Sequence, residues 1–336
     1  MNTKDPIHNH RHTIPLVTII VPAYNYARYI DARMESILNQ TFQDFEIILL
    51  DDHSSDDSAC ILEKYRHHPK VSHIEVNREN SGSPFRQWKK GISYARGKYI
   101  WIAEADDSAK PEFLEKTVEA MESNPSASLA FTGSNLIDAD GHAIARDWDK
   151  WDTKRQHDNR RRKIFHGGEY IVHNLFWKNY IYNASMVLFR RDSYSSELIE
   201  ASISMRNAGD WMFWVRMAEK GDVIEIHEKL NYFRRHSDST TVAGDTSGRI
   251  RMEEIDVLNY IINRYPVGNY RKTLRIGQFI KSIHRSKQYS KQTRRKILNS
   301  VNTILSAGKG TYLLERMNKA IASICPFLLT RSRDRL

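Results

Sequence analysis

The stretch "LVTIIVPAYNYARYIDARMESILNQTFQDFEIILLDD", residues 16–52, decides the fold class. It opens with an apolar run, continues through a helix-length amphipathic segment at about 28–39, and closes with a second apolar run, "FEIILLDD". Apolar runs that do not alternate with polar residues are typical of strands buried on both faces. A helix between two such strands is typical of a parallel pair. The stretch therefore predicts an α/β fold.

The same alternation continues along the chain. Strands are expected at "VSHIEV", "YIWIA" and "SLAFTG", with helices at about 56–66, 84–95 and 111–122 between them. This order predicts a Rossmann-like, mainly parallel sheet flanked by helices. Polar clusters follow four of the strands, namely "PAYN", "DDHSSDD", "NRENSGSP" and "EADD". Because the carboxyl ends of such strands meet at a ligand crevice, we expect the functional site there.

The most unusual cluster is "YIWIAEADD", residues 99–107, which places Glu104, Asp106 and Asp107 directly behind a buried strand. Like charges this close raise one another's pKa unless a cation or a donor-rich ligand lies among them. A turn followed by a helix N-terminus would account for one or two acids, but not for three. The cluster therefore predicts a site for a divalent metal, Mg²⁺ or Mn²⁺.

The charge of the chain is uneven. The 336 residues carry a net charge of +10, but residues 249–336 hold 19 Lys and Arg against 5 Asp and Glu. That segment therefore contributes +14 and leaves −4 on residues 1–248. Its apolar residues recur at helical spacing in two stripes, Ile297, Leu298, Val301, Ile304 and Leu305, then Leu313, Leu314, Met317, Ile321 and Ile324. We predict a basic helical appendage that packs on the rest as a cap or contacts an anionic membrane.

The remaining organisation follows from composition. We expect a flexible tail over residues 1–14, a catalytic domain over 15–248 and the helical region over 249–336. Residues 147–170 are polar and aromatic and predict a long loop or lid, and "VIEIHEKLNYFRRH" predicts two short strands.

The two cysteines, Cys60 and Cys325, indicate neither a disulfide framework nor a zinc site. With no signal-like segment and no run of about 18 apolar residues, we expect a cytoplasmic protein, peripheral at the inner membrane face.

Taken together, residues 17–58 and the segment "SGSPFRQWKKGISYARGKYIWIAEADD" resemble the family 2 glycosyltransferases, nucleotide-diphospho-sugar transferases of the GT-A fold. The resemblance covers about residues 15–240, with a nucleotide half over 15–135 and an acceptor half over 136–248. It implies that a sugar is transferred from a nucleotide-sugar donor, a UDP-sugar first of all, to a saccharide or lipid-linked acceptor. It also implies inversion at the anomeric carbon and a divalent metal.

The resemblance also implies roles for individual residues. Glu104 stands where the family has the first Asp of its Asp-x-Asp motif, near the ribose, and Asp52 occupies the position that recognises the base. The positions implied in donor nucleotide binding are Pro22, Tyr24, Asn25, Asp51, Asp52, Arg86, Glu104 and Asp106. The positions implied in metal binding are Asp106, Asp107 and His236, the last from "NYFRRHSDSTT".

The acceptor half carries the implied general base. The segment "NAGDWMFWVRMA" resembles the Glu-Asp segment of the family, with Gly209 in place of the Glu, so Asp210 becomes the candidate base. A carboxylate there would take the proton of the acceptor hydroxyl.

Two other functions fit parts of the sequence. One is a sugar nucleotidyltransferase, although the first strand ends in "PAYN" and not in a Gly-rich, basic signature. The other is a non-catalytic module in which the basic helices bind an anionic surface or a nucleic acid. No nucleic-acid recognition motif accompanies those helices, so we expect no nucleic-acid partner.

Overall fold

The computed structural model describes residues 14–145, 161–236 and 246–307, together with residues 310, 311, 313 and 317. A nine-stranded sheet runs through the molecule in the order β3-β2-β1-β4-β8-β6-β9-β5, and β7 pairs with β9. The strands are β1 (Val17–Ala23), β2 (Phe45–Asp51), β3 (Val71–Val76), β4 (Tyr99–Ile102), β5 (Ser108–Ala109), β6 (Ala127–Ile137), β7 (Arg162–Phe165), β8 (Val187–Arg190) and β9 (Asp222–Arg234).

Helices cover both faces of this sheet. They are α1 (Ala27–Leu38), α2 (Ser58–Glu63), α3 (Pro84–Tyr94), α4 (Phe113–Glu122), α5 (Gly167–Tyr170), α6 (Ser196–Ile203), α7 (Gly209–Ala218), α8 (Arg249–Arg264), α9 (Asn269–Arg285) and α10 (Lys291–Ile304). A π-helical turn, Ile171–Leu175, continues α5, and short 3₁₀ turns occur at Ala184–Met186 and Arg191–Ser193.

The predicted fold class is confirmed. Strands β1, β2, β3 and β4 are mutually parallel, and β6 and β9 run in the same direction because β8 is antiparallel to both β4 and β6. Every residue of β1, β2 and β4 is buried, as their unbroken apolar runs predict. Two hydrophobic clusters, one on each face of the sheet, form the core.

Two expectations for the second half are wrong in detail. The segment expected to form two short strands is the single 13-residue strand β9, which follows β6 through register shifts near Gly133. Part of the expected loop at 147–170 is ordered as β7 and α5, because Phe165 is buried and β7 pairs with β9. Residues 147–160 of that segment lie outside the described residues.

The helices after residue 248 bury the first apolar stripe. Ile297, Val301 and Leu305 belong to the same hydrophobic cluster as Leu129 of β6 and Trp214 of α7. These three side chains therefore pack against the sheet domain and do not face a lipid surface. In the second stripe Leu313 and Met317 are exposed, and the other members lie outside the described residues. None of the helices described here has the length and apolar character needed to span a bilayer.

Candidate functional site

The turns after β1 and β2 are joined by their own side chains. Asn25 has a left-handed backbone, with φ of 56°, and its Oδ1 accepts the Ser55 N–H at 2.8 Å. Its own N–H donates to Ser54 Oγ at 2.9 Å. Asp51 in turn accepts the Ser54 N–H at 2.9 Å. Asn25 and Asp51 thus hold the two turns together, and Tyr24, the neighbour of Asn25, is exposed. Pro22 lies before this turn, in β1, and pairs with Leu50 of β2.

Asp52 organises the loop between β3 and α3. Its Oδ1 accepts the Asn77 amide at 2.5 Å, the Ser81 N–H at 2.9 Å and the Gln87 amide at 2.7 Å. Its Oδ2 accepts the Ser81 hydroxyl at 2.7 Å. The carboxylate is therefore already satisfied by protein donors, so its contact with a nucleotide base stays a prediction. Arg86, on the first turn of α3, is exposed.

Glu104 follows β4 and lies between Trp88 and Ser185. Its Oε1 accepts the Trp88 indole N–H at 2.9 Å, and its own N–H donates to Ser185 Oγ at 3.0 Å. Burial, and then repulsion by Asp106 and Asp107, raise the pKa of Glu104 to about 8. An approaching cation would reverse this shift, because it favours the ionised form.

Asp106 and His236 form a close pair of metal-type donors. His236 Nε2 lies 3.0 Å from Asp106 Oδ2, and both residues are buried. The His236 ring packs against Tyr26 and Tyr29, with centroid distances of 5.8 and 5.2 Å. Its Nδ1 is buried and has no hydrogen-bond partner among the described residues. The pair was predicted from sequence, and the structure brings it together across 130 residues of chain.

Asp107 accepts hydrogen bonds from protein groups at both of its carboxylate oxygens. Its Oδ2 accepts the Asn183 amide and the Ser185 hydroxyl, each at 2.7 Å, and its Oδ1 accepts the Arg234 N–H at 3.0 Å. Burial raises the pKa of Asp107, and repulsion by Asp106 raises it further. With both oxygens accepting from protein, Asp107 anchors the motif, and its role as a metal ligand stays a prediction.

Two arginines lie beside this cluster, and sequence reasoning missed the role of Arg33. Arg234 donates from Nε to the Asp106 carbonyl at 2.7 Å and stacks on Tyr29. Arg33 of α1 is fully buried against the Trp101 ring, and its guanidinium nitrogens have no hydrogen-bond partner within the described chain. Burial lowers the pKa of Arg33 to about 10, and Asp107 and Asp106 oppose that shift. The Arg33 guanidinium thus offsets part of the negative charge of the carboxylates.

Asp210 is the second residue of α7. Its Oδ2 accepts the Asn179 amide at 3.1 Å, and its Oδ1 accepts the Trp211 N–H at 2.7 Å. Burial raises the pKa of Asp210 to about 7. A carboxyl group with this pKa can hold and release a proton near neutral pH, which suits a general base.

One short segment connects Asp210 to the acidic cluster. Asn179 donates to Asp210, and Asn183 donates to Asp107. Four residues of chain span at most about 14 Å between Cα atoms, so this short segment ties Asp210 to the acidic cluster. Trp88 forms a second link, since its indole bonds Glu104 while its ring lies 5.4 Å from Phe213 of α7.

A divalent metal fits the donors at Asp106 and His236. Carboxylate oxygen and imidazole nitrogen are ligands that Mn²⁺ accepts, and the buried His236 ring is held edge-on by Tyr26. A separate group of metal-type donors, Asp138, Asp140 and His142, lies in the hairpin after β6. It is more exposed, and its Asp138 side chain already accepts the backbone N–H groups of Asp140 and His142.

Known glycosyltransferases resemble this chain in sequence. The family model of glycosyl transferase family 2 matches residues 18–197. An uncharacterized glycosyltransferase of Haemophilus influenzae is 28% identical over 261 residues, which cover 74% of this chain and 75% of the relative.

Solved structures share the fold. TarS residues 1–349 of S. aureus, in complex with UDP-GlcNAc, superposes with a TM-score of 0.59 at 15% identity and covers 90% of this chain and 91% of that one. A mannosyltransferase of Pyrobaculum calidifontis, in complex with GDP-Man and Mn²⁺, gives 0.55 at 15% identity, covering 96% and 84%. With the family model matching more than half of its residues, the chain belongs to glycosyl transferase family 2 and is a glycosyltransferase with the GT-A fold.

Proposed function

We propose that the protein transfers a sugar from a nucleoside-diphosphate sugar, with a UDP-sugar as the first candidate, to a hydroxyl of a saccharide or lipid-linked acceptor. The observation that carries the proposal is the short Asn179–Asn183 connection, which links the base-like carboxylate of Asp210 to Asp107, the residue next to the metal-type donor Asp106. The structural neighbours in complex with UDP-GlcNAc and with GDP-Man support a nucleotide-sugar donor.

The donor side would use the turns after β1 and β2 for the nucleoside and Asp106 with His236 for a divalent metal. When bound, the metal would offset the charge that the diphosphate gains as it leaves. Glu104 faces this region with a raised pKa, so it is placed to accept a hydrogen bond from a ribose hydroxyl once the site holds a cation. Arg86 is exposed at the start of α3 and can reach the nucleotide from solvent.

The acceptor side would use Asp210. The acceptor oxygen forms a bond to the anomeric carbon while the bond to the diphosphate breaks, and the electron pair leaves with the diphosphate. Asp210 takes the hydroxyl proton. Because the acceptor attacks from the face opposite the leaving group, the configuration at the anomeric carbon inverts. Asn179 and the Trp211 N–H hold the carboxylate in place for this step.

The experiment is a thermal-shift and turnover screen of UDP-sugars and GDP-mannose with Mn²⁺ and with a chelator. Ligands that bind only the native state raise the melting temperature by mass action. We expect a shift with at least one nucleotide sugar that depends on the metal, together with slow release of its diphosphate with water as acceptor. A chain that responds to no nucleotide diphosphate at millimolar concentration would contradict the proposal.

A further inference from the structure

The C-terminal region reaches the candidate base through Glu253, which lies one turn into α8. Its carboxylate accepts three consecutive backbone N–H groups, those of Arg206 at 2.9 Å, Asn207 at 2.7 Å and Ala208 at 2.9 Å. Arg249 donates to the same carboxylate from Nε at 2.9 Å. Glu253 is 6% exposed and 45 to 47 residues away from these partners in sequence.

These hydrogen bonds fix the point at which α7 begins. Ala208 is the residue before the first residue of α7, and Asp210 is the second residue of the helix. Burial alone would raise the pKa of Glu253, but the backbone hydrogen bonds and Arg249 lower it, so the carboxylate stays ionised. Hydrogen bonds to an ionised group are the stronger kind, and three of them leave the segment little freedom.

The residue directly before Asp210, Gly209, cannot be replaced by a carboxylate that would serve the same purpose. A Cβ at Gly209 would lie 2.4 Å from Phe85 Cε2 and 2.8 Å from the Ser202 carbonyl oxygen. No side chain therefore fits at the position next to Asp210, and the anchoring acid comes from α8 on the other side.

We propose that Glu253 is a positioning residue for Asp210, so that the region after residue 248 completes the reaction centre. The inference rests on the proposed role of Asp210 as the base. The charged groups around this anchor are Arg249 and Asp256 on α8 and Asp210 on α7. Glu253 does not touch the substrate; it determines where the Asp210 carboxylate lies.

The test compares Glu253→Gln with Glu254→Gln in the full chain. Glu254 is the next residue of α8, but it pairs with Arg251 and Arg275 at 2.7 Å each, and among the described residues it forms no hydrogen bond to the 206–208 segment. The measurements are hydrogen–deuterium exchange of amides 206–211, and the kcat and KM for diphosphate release, with water as acceptor, from UDP-GlcNAc and GDP-mannose with Mn²⁺. A displaced base costs on the order of 10- to 100-fold in rate.

We expect Glu253→Gln to lose that factor in kcat with a donor KM within about twofold of wild type, and to exchange the 206–208 amides about tenfold faster or more. Glu254→Gln should lower the melting temperature but leave both readouts unchanged. If Glu253→Gln does not fold, Glu253→Asp, which keeps the charge one methylene shorter, replaces it with the same expectations. Unchanged exchange and unchanged kcat in the Glu253 variant would overturn the inference.

Asp210→Asn separates the inference from the proposed function. If Asp210→Asn turns over normally, Asp210 is not the base and both fail together. If Asp210→Asn is inactive while Glu253→Gln is normal, only the positioning role fails. If wild type releases diphosphate from neither donor, the exchange of amides 206–211 decides, and equal rates in wild type and Glu253→Gln overturn the inference.

Discussion

At the scale of single residues, burial sets the chemistry of the crevice. Asp210 and Glu104 are both carboxyl groups with raised pKa values, about 7 and about 8, but their neighbours differ. Asp210 has Asn179 and a backbone N–H beside it, whereas Glu104 has two further carboxylates. The first arrangement suits proton transfer and the second suits a cation.

Asp210→Asn should lower kcat by about 10²–10⁴-fold and leave donor binding within about twofold, because the amide keeps the shape but cannot take the proton. In wild type the rate should rise with pH through about 7, since only the ionised form acts as a base. Steady-state turnover against pH, with calorimetry for donor affinity, measures both. Equal losses of turnover and donor affinity would instead make Asp210 a binding residue.

The same substitution also has a predicted effect on stability. The native carboxyl group binds its proton up to about pH 7, whereas the unfolded one loses it near pH 4, so the free energy of unfolding falls as the pH rises between these values. Asp210→Asn removes that penalty. It should therefore melt at a higher temperature than wild type at pH 8 and differ less at pH 5. A variant that is less stable at pH 8 would show that the hydrogen bonds outweigh the buried charge.

Asp106→Asn should remove the metal dependence of nucleoside diphosphate binding. The carboxylate lies 3.0 Å from His236 Nε2, and its loss leaves one donor of the pair. Asp140→Asn is the matched control, because it changes the other group of metal-type donors by the same chemistry. Calorimetric titration of UDP with Mn²⁺ and with a chelator measures the effect. A control that loses the metal dependence while Asp106→Asn keeps it would move the metal to the hairpin after β6.

Some residues of the site could be predicted from sequence motifs, and others could not. Asp106 and His236 could be predicted because each lies in a segment resembling the family. Glu253 and Arg33 could not, because their roles come from burial and from contacts that only the folded chain creates. The same holds for Asp107, whose oxygens accept hydrogen bonds from a segment more than 70 residues away.

At the scale of elements, α7 is placed by contacts at its first turn. Gly209 packs directly against Phe85 of α3. Asn179 and Glu253 form hydrogen bonds to Asp210 and Ala208, the residues on either side of Gly209. The strands β1, β2 and β4 could be predicted from unbroken apolar runs. Strand β9 was harder, because its pairing with β6 shifts register and the pattern of buried residues breaks with it.

Gly209→Ala should destabilise the protein by about 1–3 kcal/mol, because the new methyl group meets Phe85 and a backbone carbonyl at less than 3 Å. Gly268→Ala is the control, since a Cβ there has no neighbour within 4 Å, and it should stay within about 0.5 kcal/mol of wild type. Urea unfolding measures both. Equal stability of the two variants would mean that α3 and α7 can separate at no cost.

At the scale of the whole molecule, the basic C-terminal helices share one core with the sheet domain. Leu258, Phe279 and Val301 lie in the same hydrophobic cluster as Phe131 of β6 and Phe213 of α7. The sequence shows the charge difference and the amphipathic stripe, but it does not show which surface the stripe covers. That choice depends on the complementary apolar face, which exists only after the sheet has formed.

A chain that ends at Gly248 should therefore fail to unfold cooperatively and should bind the dye ANS, because it exposes the face that α8, α9 and α10 cover. Near-ultraviolet circular dichroism and a urea titration measure this against the full chain. A truncated chain with a sharp transition and intact UDP binding would show that the helices form a separate appendage.

Metal-dependent binding of the donor nucleotide can be measured directly by calorimetric titration of UDP and GDP into the wild-type chain, with Mn²⁺ and with chelator, followed by the same titration of the matching nucleotide sugar. We expect one of the two diphosphates to bind at least about tenfold more tightly with the metal, and the bound sugar nucleotide to release its diphosphate slowly. Equal affinity with metal and with chelator, or no heat with either diphosphate, would contradict this expectation.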